Sequence, residues 1–536
     1  MRIHLYDTTL RDGTQGEGFN LSLTDKLLVA RKLDEIGFDY IEGGYPLSNP
    51  KDVGFFEDIR EPALSHAKVS AFGMTRRRGV DASEDVGMRA LLDAETPAIT
   101  IVGKTIKFQI ENVLNTTVDE NHAMIADSVK VCVDAGREVI YDAEHFFDAF
   151  KEDREHALST LAAAESAGAT VLCLCDTNGG TMPTEVAEAT AAVVAQSNVT
   201  VGIHTHNDSG VAVANALAAV DAGATHVQGT INGVGERCGN MDLVVAAANL
   251  ALKFGHDVLL PGSLERLTEV SRFVYEIANQ PLWGGQPYVG ASAFAHKGGM
   301  HVHAVRKHAG TYEHVDPASV GNQRKILVSE MSGASNIAEK LGKKFGIEAD
   351  REVQRRVLER VQDLENAGYV FEAAEASFEL LLRKEIGKRR AYFTLDHYRC
   401  VILRTDGERP VAEATCKVHV GDTVEHRVAE GHGPVDALDH ALRKALREHY
   451  PAINGLHLVD YKVRVVNSSA ATAAKVRVVT EFRRDLSDGK SDYFGTVGVD
   501  ENVINASWEA LIDGFEYHLL ANDEIRSQKS EVRNPK

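Results

Sequence analysis

The sequence predicts an α/β fold: a (β/α)8 barrel (TIM barrel) over residues 1–260, helical linker and lid segments over 261–388, and an α+β domain over 389–525. Three observations predict this order. Eight short runs rich in Val and Ile recur in the first 255 residues, segments with helical periodicity separate them, and polar residues follow the runs. A tail over residues 526–536 is expected to follow.

The strand-like runs of the barrel alternate with helical segments, as parallel βα units require. Segments 22–36, 153–167 and 183–196 repeat apolar residues at helical spacing, and the last opens on a proline. Eight units in about 250 residues predict a closed barrel rather than an open doubly wound sheet. No GxGxxG turn follows the first run. The predicted strands are residues 3–8, 38–43, 67–73, 98–103, 138–144, 170–175, 199–204 and 225–230.

The pattern changes after the barrel. Residues 261–279 predict a helix, and a Gly-rich stretch containing His296, His301 and His303 follows. Further helices are predicted at 334–345 and 350–384. An extension of this kind, placed after a barrel, is expected to form a lid or a substrate-binding subdomain for the barrel mouth.

The last part of the chain alternates strands and helices differently, as strand-strand-helix repeated once with an added strand. Two similar halves indicate internal pseudosymmetry and a module that makes or stabilises a homodimer. It carries no catalytic constellation, so a ligand-binding or regulatory role is favoured. Its predicted strands are 392–404, 411–420, 456–466, 474–482 and 493–499, and its predicted helices are 435–447 and 503–520.

Composition narrows the class of protein. Lys and Arg number 58 against 78 Asp and Glu, a formal net charge of −20, which argues against a nucleic-acid surface. No run of about 18 apolar residues and no signal peptide is seen, so we expect no membrane partner. Six scattered cysteines without CxxC spacing indicate reduced thiols and a cytoplasmic protein.

His204 and His206 are the strongest candidates for chemistry. On a strand they project from the same face, about 7 Å apart, and can share one metal ion. Two polar residues at a strand end is the alternative reading. Barrel chemistry gathers at the carboxyl ends of the strands, and the other predicted strands deliver polar residues there as well, which favours the metal site: Asp7, Arg11, Asp12, Glu42, Lys104, Asp142, Glu144, Asp176, Thr177, Asn178, Asn207, Asp208 and Asn232.

Three stretches, residues 7–15, 204–208 and 232–240, resemble the signatures of the 2-isopropylmalate, homocitrate and citramalate synthase family. These are metal-dependent barrel enzymes, acyltransferases that condense acetyl-CoA with a 2-oxo acid, and the C-terminal module resembles the family's allosteric domain. Stretches 34–46, 141–148 and 294–302 are most similar to the citramalate branch. The resemblance implies pyruvate as acceptor, (R)-citramalate and CoA as products, and isoleucine biosynthesis as the pathway.

Other readings stay open at this point. The first alternative within the family uses 2-oxoisovalerate and makes 2-isopropylmalate for leucine. A lyase with the same barrel is a second alternative, which the long C-terminal module disfavours. A non-catalytic amino-acid-binding protein is a third, which the intact motif residues disfavour. The resemblance also implies a homodimer and an amino-acid feedback inhibitor.

The resemblance implies a role for each motif residue at the barrel mouth. Asp12, His204 and His206 would bind a divalent cation (Zn, Mn or Mg), with Asn240 near or in the ligand shell. Such a ligand set leaves open positions that a 2-oxo acid can fill; a purely structural metal is the alternative. Arg11 would stabilise the oxyanion; an ion pair with Glu42 or Glu144 is its other role.

The proton-transfer residues are implied in the same way. His301 aligns with the histidine that deprotonates the acetyl methyl group, Glu144 with the glutamate that assists it, and Tyr312 with a residue near the reacting groups. Thr177 would bind the substrate carboxylate. The alternatives are a Gly-rich loop residue for His301 and a hydroxyl satisfying backbone for Thr177 and Tyr312. This chain has His303 where several relatives carry Asp.

Two charged features complete the list. Glu236 and Arg237 are interpreted as an internal ion pair that holds the loop after the eighth strand. The basic run at residues 75–78 is interpreted as a solvated cluster, with the phosphates of coenzyme A or a substrate carboxylate as the alternative ligands.

Overall fold

The computed structural model describes residues 1–326, 351–404, 406, 410–466, 474–486 and 491–533. The chain divides into two compact units. The first comprises residues 1–294 and 313–324, and the second comprises 295–312 and 325–536. The helix predicted at 334–345 lies outside the described residues. No helix within the described ranges is both long enough and apolar enough to cross a membrane.

The first unit is a closed barrel of eight parallel strands, so the predicted fold class is confirmed. Each strand pairs with the next, and the first closes the barrel by pairing in parallel with the eighth, with Leu5 opposite Val227. The strands are β1 (His4–Asp7), β2 (Tyr40–Gly44), β3 (Lys68–Met74), β4 (Ala98–Lys104), β5 (Glu138–Glu144), β6 (Val171–Asp176), β7 (Thr200–Thr205) and β8 (His226–Gly229).

Helices surround this barrel and begin where the sequence supplies caps. Ser22 Oγ accepts a hydrogen bond from the Asp25 backbone N–H (3.2 Å), and the Asp25 carboxylate accepts one from the Ser22 backbone N–H (2.8 Å). The same helix ends at Gly37, where φ is 94° and a Cβ would lie 2.5 Å from Leu260 Cγ. The helices of this unit are α1 (Leu23–Ile36), α2 (Pro50–Asp58), α3 (Val86–Asp93), α4 (Lys107–Asn112), α5 (Val118–Asp134), α6 (Phe146–Glu152), α7 (Arg154–Ser166), α8 (Pro183–Val194), α9 (Ala212–Asp221), α10 (Leu243–Leu252) and α11 (Leu267–Ile277).

The barrel interior changes from apolar to polar toward the carboxyl ends of the strands. The part of the interior farther from the carboxyl ends is filled by a buried cluster of Tyr6, Tyr40, Ala98, Ile140 and Val171. Because side chains alternate along a strand, the next inward residue lies two positions further on. On four of these strands that residue is polar or a thiol, and all four are buried: Glu42, Thr100, Asp142 and Cys173.

The second unit contains two similar halves, each a three-stranded antiparallel sheet followed by a helix. The repeat predicted from the sequence is therefore present, but the first half has a third strand, β13 (Thr423–Gly431), that the prediction missed. The strands are β9 (Ala295–His296), β10 (Lys325–Ile326), β11 (Thr394–Leu403), β12 (Val411–Val420), β13 (Thr423–Gly431), β14 (Leu456–Val465), β15 (Val476–Asp485) and β16 (Ser491–Asp500).

The helices also differ from prediction at three places, one in the first unit and two in the second. The helix predicted at 350–384 is two helices, broken before Gly368, whose φ is 112°. The one predicted at 261–279 begins as α11 only at Leu267, after a 3-10 turn. The final helix continues past residue 520 to Arg533. The helices of this unit are α12 (Gly299–Lys307), α13 (Arg351–Asn366), α14 (Glu375–Glu385), α15 (Pro434–Leu446) and α16 (Val503–Arg533).

Candidate metal centre

The barrel mouth brings together Asp12, His204 and His206. One potential ligand atom from each lies within 4.8 Å of the others, and all three side chains are buried. Asp12 follows β1, His204 belongs to β7, and His206 comes directly after that strand. The three residues that the sequence nominated as metal ligands therefore form one cluster at the carboxyl ends of the strands.

Asn240 closes this cluster from the loop after β8. Its Nδ2 donates to Asp12 Oδ1 (2.7 Å), and its backbone forms a bridge with His206. Asn240 Oδ1 and His206 Nδ1 are buried without a hydrogen-bond partner. A buried acceptor without a partner costs free energy, so these atoms call for a ligand. A divalent cation meets that need, because imidazole nitrogen, carboxylate oxygen and amide oxygen are its usual ligands.

The protonation states of the cluster suit a cation. Burial alone would raise the pKa of Asp12, but Arg11 and the two histidines hold it at about 2. Burial lowers the pKa of His204, and burial together with His204 lowers that of His206 to about 4. At neutral pH the cluster therefore presents one carboxylate and two neutral imidazoles, the forms that coordinate metals.

Arg11 is held rigidly beside the cluster. Its Nε donates to Glu42 Oε1 (2.5 Å), its Nη1 donates to Asp12 Oδ2 (2.9 Å), and its guanidinium lies 3.9 Å from the centroid of the Phe72 ring. Burial would lower the pKa of Arg11, but Glu42 and Asp12 raise it above its ordinary value. The ion pair with Glu42 is thus present, and it orients a permanent positive charge at the mouth.

Two further carboxylates lie beneath the cluster. Glu42 accepts hydrogen bonds from Tyr6, from Thr8 (2.6 Å) and from Arg11. Asp142 accepts one from Gln228 Nε2 (2.9 Å), and burial followed by the charge of Glu42 raises its pKa to about 7. The site therefore concentrates buried acidic groups around one arginine, an electrostatic environment that favours a bound cation.

Glu144 and Thr177 lie at the carboxyl ends of β5 and β6. Glu144 pairs with Lys104 of β4 (2.5 Å), so of the two alternative partners suggested for Arg11, Glu42 pairs with it and Glu144 pairs with a lysine instead. Thr177 Oγ1 accepts a hydrogen bond from the His145 backbone N–H (2.9 Å). That contact uses the oxygen as acceptor and leaves the hydroxyl proton available for a substrate carboxylate.

His301 and Tyr312 belong to the second unit. His301 lies on α12 with an exposed side chain, and its ring stacks on that of Tyr312 with centroids 4.0 Å apart and planes 20° apart. Tyr312 is 45% exposed. His303 is also exposed on α12. The two residues nominated for proton transfer and contact with the reacting groups are therefore neighbours.

The ion pair predicted between Glu236 and Arg237 is present, whereas the basic run differs from its prediction. Arg237 lies 4.0 Å from Glu236, but its main partners are the Asp208 carboxylate (2.8 and 2.9 Å) and the Thr177 carbonyl (2.8 Å). In the basic run, Arg76 is not solvated: it is buried and pairs with Glu120 and Asp127, both at 2.8 Å. The prediction of an entirely solvated cluster was therefore wrong.

Sequence reasoning did not assign a role to Gln228. This residue is buried in β8, opposite His204 of β7, and its amide contacts both His204 and Asp142. The sequence did contain a signal for it. His226 and Gln228 are two polar residues at i and i+2 on a predicted strand, so both project from the same face, and that face lines the barrel interior. Lys104 was noted only as a strand-end residue, and its pairing with Glu144 depends on register between strands.

Comparisons with known proteins cover the chain in three parts. A family model described as HMGL-like matches residues 2–274, one described as homocitrate synthase post-HMGL domain-like matches 288–368, and the LeuA allosteric (dimerisation) domain matches 372–519.

Relatives match over nearly the full length. The chain is 50% identical over 527 residues to an (R)-citramalate synthase of Aquifex aeolicus, covering 98% of this chain and 99% of that one. It is 48% identical to an (R)-citramalate synthase of Geobacter sulfurreducens (98% and 99%). A probable 2-isopropylmalate synthase of Methanopyrus kandleri is 33% identical (96% and 97%).

Proposed function

The chain belongs to the (R)-citramalate synthase family of HMGL-like enzymes, and we propose that its barrel mouth condenses acetyl-CoA with pyruvate and hydrolyses the thioester, giving (R)-citramalate and coenzyme A. The observation that carries the proposal is the buried cluster of Asp12, His204 and His206 beside Arg11. One carboxylate, two imidazoles and a nearby amide can together hold a divalent cation, and such a cation can bind a 2-oxo acid and polarise its keto group.

The residues that would hold the cation are Asp12, His204 and His206, with Asn240 contributing its partnerless Oδ1. A bound divalent cation acts as a Lewis acid that polarises the keto group of the acceptor. Zinc, manganese and magnesium all suit a mixed nitrogen and oxygen ligand set, and reconstitution of the metal-free protein with each ion in turn identifies the one that it uses.

Arg11 and Thr177 are proposed to bind the acceptor. The alkoxide that forms on the former keto oxygen would lie against the Arg11 guanidinium, which is already fixed by Glu42 and Phe72. A charge held in place before the reaction stabilises the transition state without reorganisation. The Thr177 hydroxyl, whose oxygen accepts a hydrogen bond from the His145 N–H, would donate a hydrogen bond to the pyruvate carboxylate.

His301 is proposed as the base that removes a proton from the acetyl methyl group, assisted by Glu144. The support is the resemblance of both positions to the family's catalytic residues, and the stacking of His301 on Tyr312, which orients the imidazole. Tyr312 would contact the reacting groups. The carbanion adds to the keto carbon of pyruvate, and the resulting alkoxide takes up the proton that the base removed. Water then attacks the thioester carbonyl, its hydroxyl group stays on the acyl carbon, and its proton goes to the sulfur of coenzyme A.

Pyruvate is proposed over 2-oxoisovalerate because relatives named (R)-citramalate synthase reach 50% identity, whereas the 2-isopropylmalate synthases reach 29–33%. An assay of thiol release with acetyl-CoA and a panel of 2-oxo acids tests this assignment. We expect release with pyruvate that is lost on chelation of the metal. Release with 2-oxoisovalerate but not pyruvate would overturn the substrate assignment.

The C-terminal unit is proposed to form a homodimer and to bind isoleucine as a feedback inhibitor, because residues 372–519 match an allosteric dimerisation domain. Light scattering on the purified protein and the thiol assay with added isoleucine or leucine test these two points. A cytoplasmic location is also proposed, since all six cysteines are free, as expected in a reducing compartment.

A further inference from the structure

Inside the barrel, a series of hydrogen bonds between side chains leads to His204, one of the candidate metal ligands. His204 Nδ1 lies 3.0 Å from Gln228 Oε1, and Gln228 Nε2 lies 2.9 Å from Asp142 Oδ1. Gln228 Nε2 also lies 3.4 Å from His226 Nε2. All four side chains are buried, so none of these contacts competes with bulk solvent. This series of hydrogen bonds links β5, β7 and β8 beneath the mouth.

The contacts fix which way the Gln228 amide points. Gln228 Nε2 donates to Asp142 Oδ1, and an amide oxygen turned toward the ionised carboxylate would face another acceptor and lose that bond. Burial lowers the pKa of His226 to about 3, so its ring is neutral, and its Nε2 accepts as well when the ring hydrogen lies on Nδ1. Two acceptors on one side place the Gln228 NH2 group there, and its oxygen then faces His204.

The amide oxygen in turn sets the tautomer of His204. An oxygen accepts and cannot donate, so Nδ1 of His204 must carry the hydrogen. Nε2 is then left with its lone pair, and this atom lies on the side of Asp12, 3.7 Å from Oδ2. A histidine whose ring is held in this way presents the nitrogen that a cation needs without first losing a proton or rotating.

We propose that Gln228 and Asp142 are positioning residues for the metal centre: Gln228 holds His204 in the tautomer and ring orientation that bind the cation, and Asp142 holds the Gln228 amide. This inference rests on the proposed function, because it takes Asp12, His204 and His206 as the ligands. Neither Gln228 nor Asp142 is itself proposed to touch the metal or the substrates.

The test measures Mn²⁺ binding to the full-length, chelator-treated protein by titration calorimetry, without substrates. Mn²⁺ is the suitable probe because a second buried cluster, Asp142 with Cys173 and Cys175, contains thiols that softer metals prefer. Gln228→Met keeps the side-chain length but replaces the strong acceptor by a thioether. Asp142→Asn keeps an oxygen for the Gln228 amide, and Asp142→Leu removes it.

We expect Gln228→Met to raise the Kd for Mn²⁺ by about 10–100-fold, the usual effect of losing the partner of a ligating histidine. Asp142→Leu should raise it in the same direction and Asp142→Asn should restore near-wild-type affinity. A Gln228 that only fills the barrel predicts a lower melting temperature with an unchanged Kd, and that result would overturn the inference.

The two Asp142 variants keep the test decisive if Gln228→Met does not fold. Equal Kd values for Asp142→Leu and Asp142→Asn would contradict the role of the amide. A wild-type protein with no saturable Mn²⁺ binding, or with binding that persists in His206→Ala, would overturn the ligand set of the proposed function as well. Normal wild-type binding with unaffected Gln228 and Asp142 variants would overturn this inference alone.

Discussion

Replacing Arg11 by lysine tests how much of the catalysis depends on a fixed guanidinium. Arg11 donates from Nε to Glu42 and from Nη1 to Asp12 while its plane lies 3.9 Å from the Phe72 ring centroid. A lysine keeps the charge, but its single ammonium group cannot make both hydrogen bonds and the planar stacking contact at once. The substitution therefore changes geometry more than net charge.

The expected loss follows from these contacts. One charge-assisted hydrogen bond is given up, about 1.5–3 kcal/mol, and the alkoxide loses a preorganised donor, for which about 10²–10³-fold in kcat is usual. We expect kcat to fall by about that factor, with a smaller change in KM for pyruvate, because the alkoxide charge exists only in the transition state.

Thiol release under saturating acetyl-CoA measures both constants, and thermal unfolding shows whether the variant folds. Arg154→Lys is the matched control, because Arg154 also stacks on an aromatic ring, Phe150, at 5.1 Å, but is exposed on α7. If the kcat of Arg11→Lys lies within about threefold of the wild-type value, the activation free energy has changed by less than about 0.7 kcal/mol. That result would refute the role of the fixed guanidinium.

Three further predictions concern the loop after β8, which carries Gly235 and Asn240, and the second unit. Gly235→Ala should weaken Mn²⁺ binding about tenfold or more, because φ is 155° at this position and an added Cβ would overlap the Asn240 amide. Gly79→Ala is the control and should leave Mn²⁺ binding unchanged, since Gly79 also has a positive φ but lies in open space. Arg389→Leu should lower the free energy of unfolding by about 3–5 kcal/mol, since it removes the cation that pairs with buried Glu516 and half-buried Asp513. Arg390→Leu, which breaks an exposed pair with Asp523, should cost under about 1 kcal/mol. Equal losses would contradict the burial argument. Burial lowers the pKa of His518 to about 4, below its value of about 6.5 in the unfolded chain. Between these two pH values the unfolded chain therefore binds more protons than the folded protein. As the pH falls through this window, wild type should lose stability relative to His518→Gln by up to about 1.4 kcal/mol per pH unit. A difference in urea midpoints that does not vary with pH would contradict it.

Much of the barrel could be predicted from the sequence because its signals are local. Val- and Ile-rich runs gave β5 with its correct bounds, residues 138–144, and capping residues placed the start of α1 within one residue. Strand β13 was missed because Glu425 and Arg427 interrupt its apolar positions. The break before Gly368 was signalled by the glycine itself, although helical periodicity on both sides concealed it.

The candidate site divides in the same way. Asp12, His204 and His206 could be nominated because their motifs follow strands, and strand ends converge in a closed barrel. The partners of those residues depend on register between strands, which a single sequence does not specify. Lys104 beside Glu144 and Gln228 behind His204 are therefore findings of the structure, whereas the pair of Arg11 with Glu42 was one of two partners that the sequence suggested.

The dependence of (R)-citramalate formation on a divalent cation tests the central claim most directly. The protein is stripped with a chelator, Mn²⁺ is titrated back, and citramalate from acetyl-CoA and pyruvate is quantified by mass spectrometry for wild type and His206→Ala. We expect wild type to recover activity along a saturable curve and His206→Ala to remain inactive throughout. Citramalate formed by the stripped wild type, or full recovery of His206→Ala, would contradict the assignment of Asp12, His204 and His206 as the metal centre.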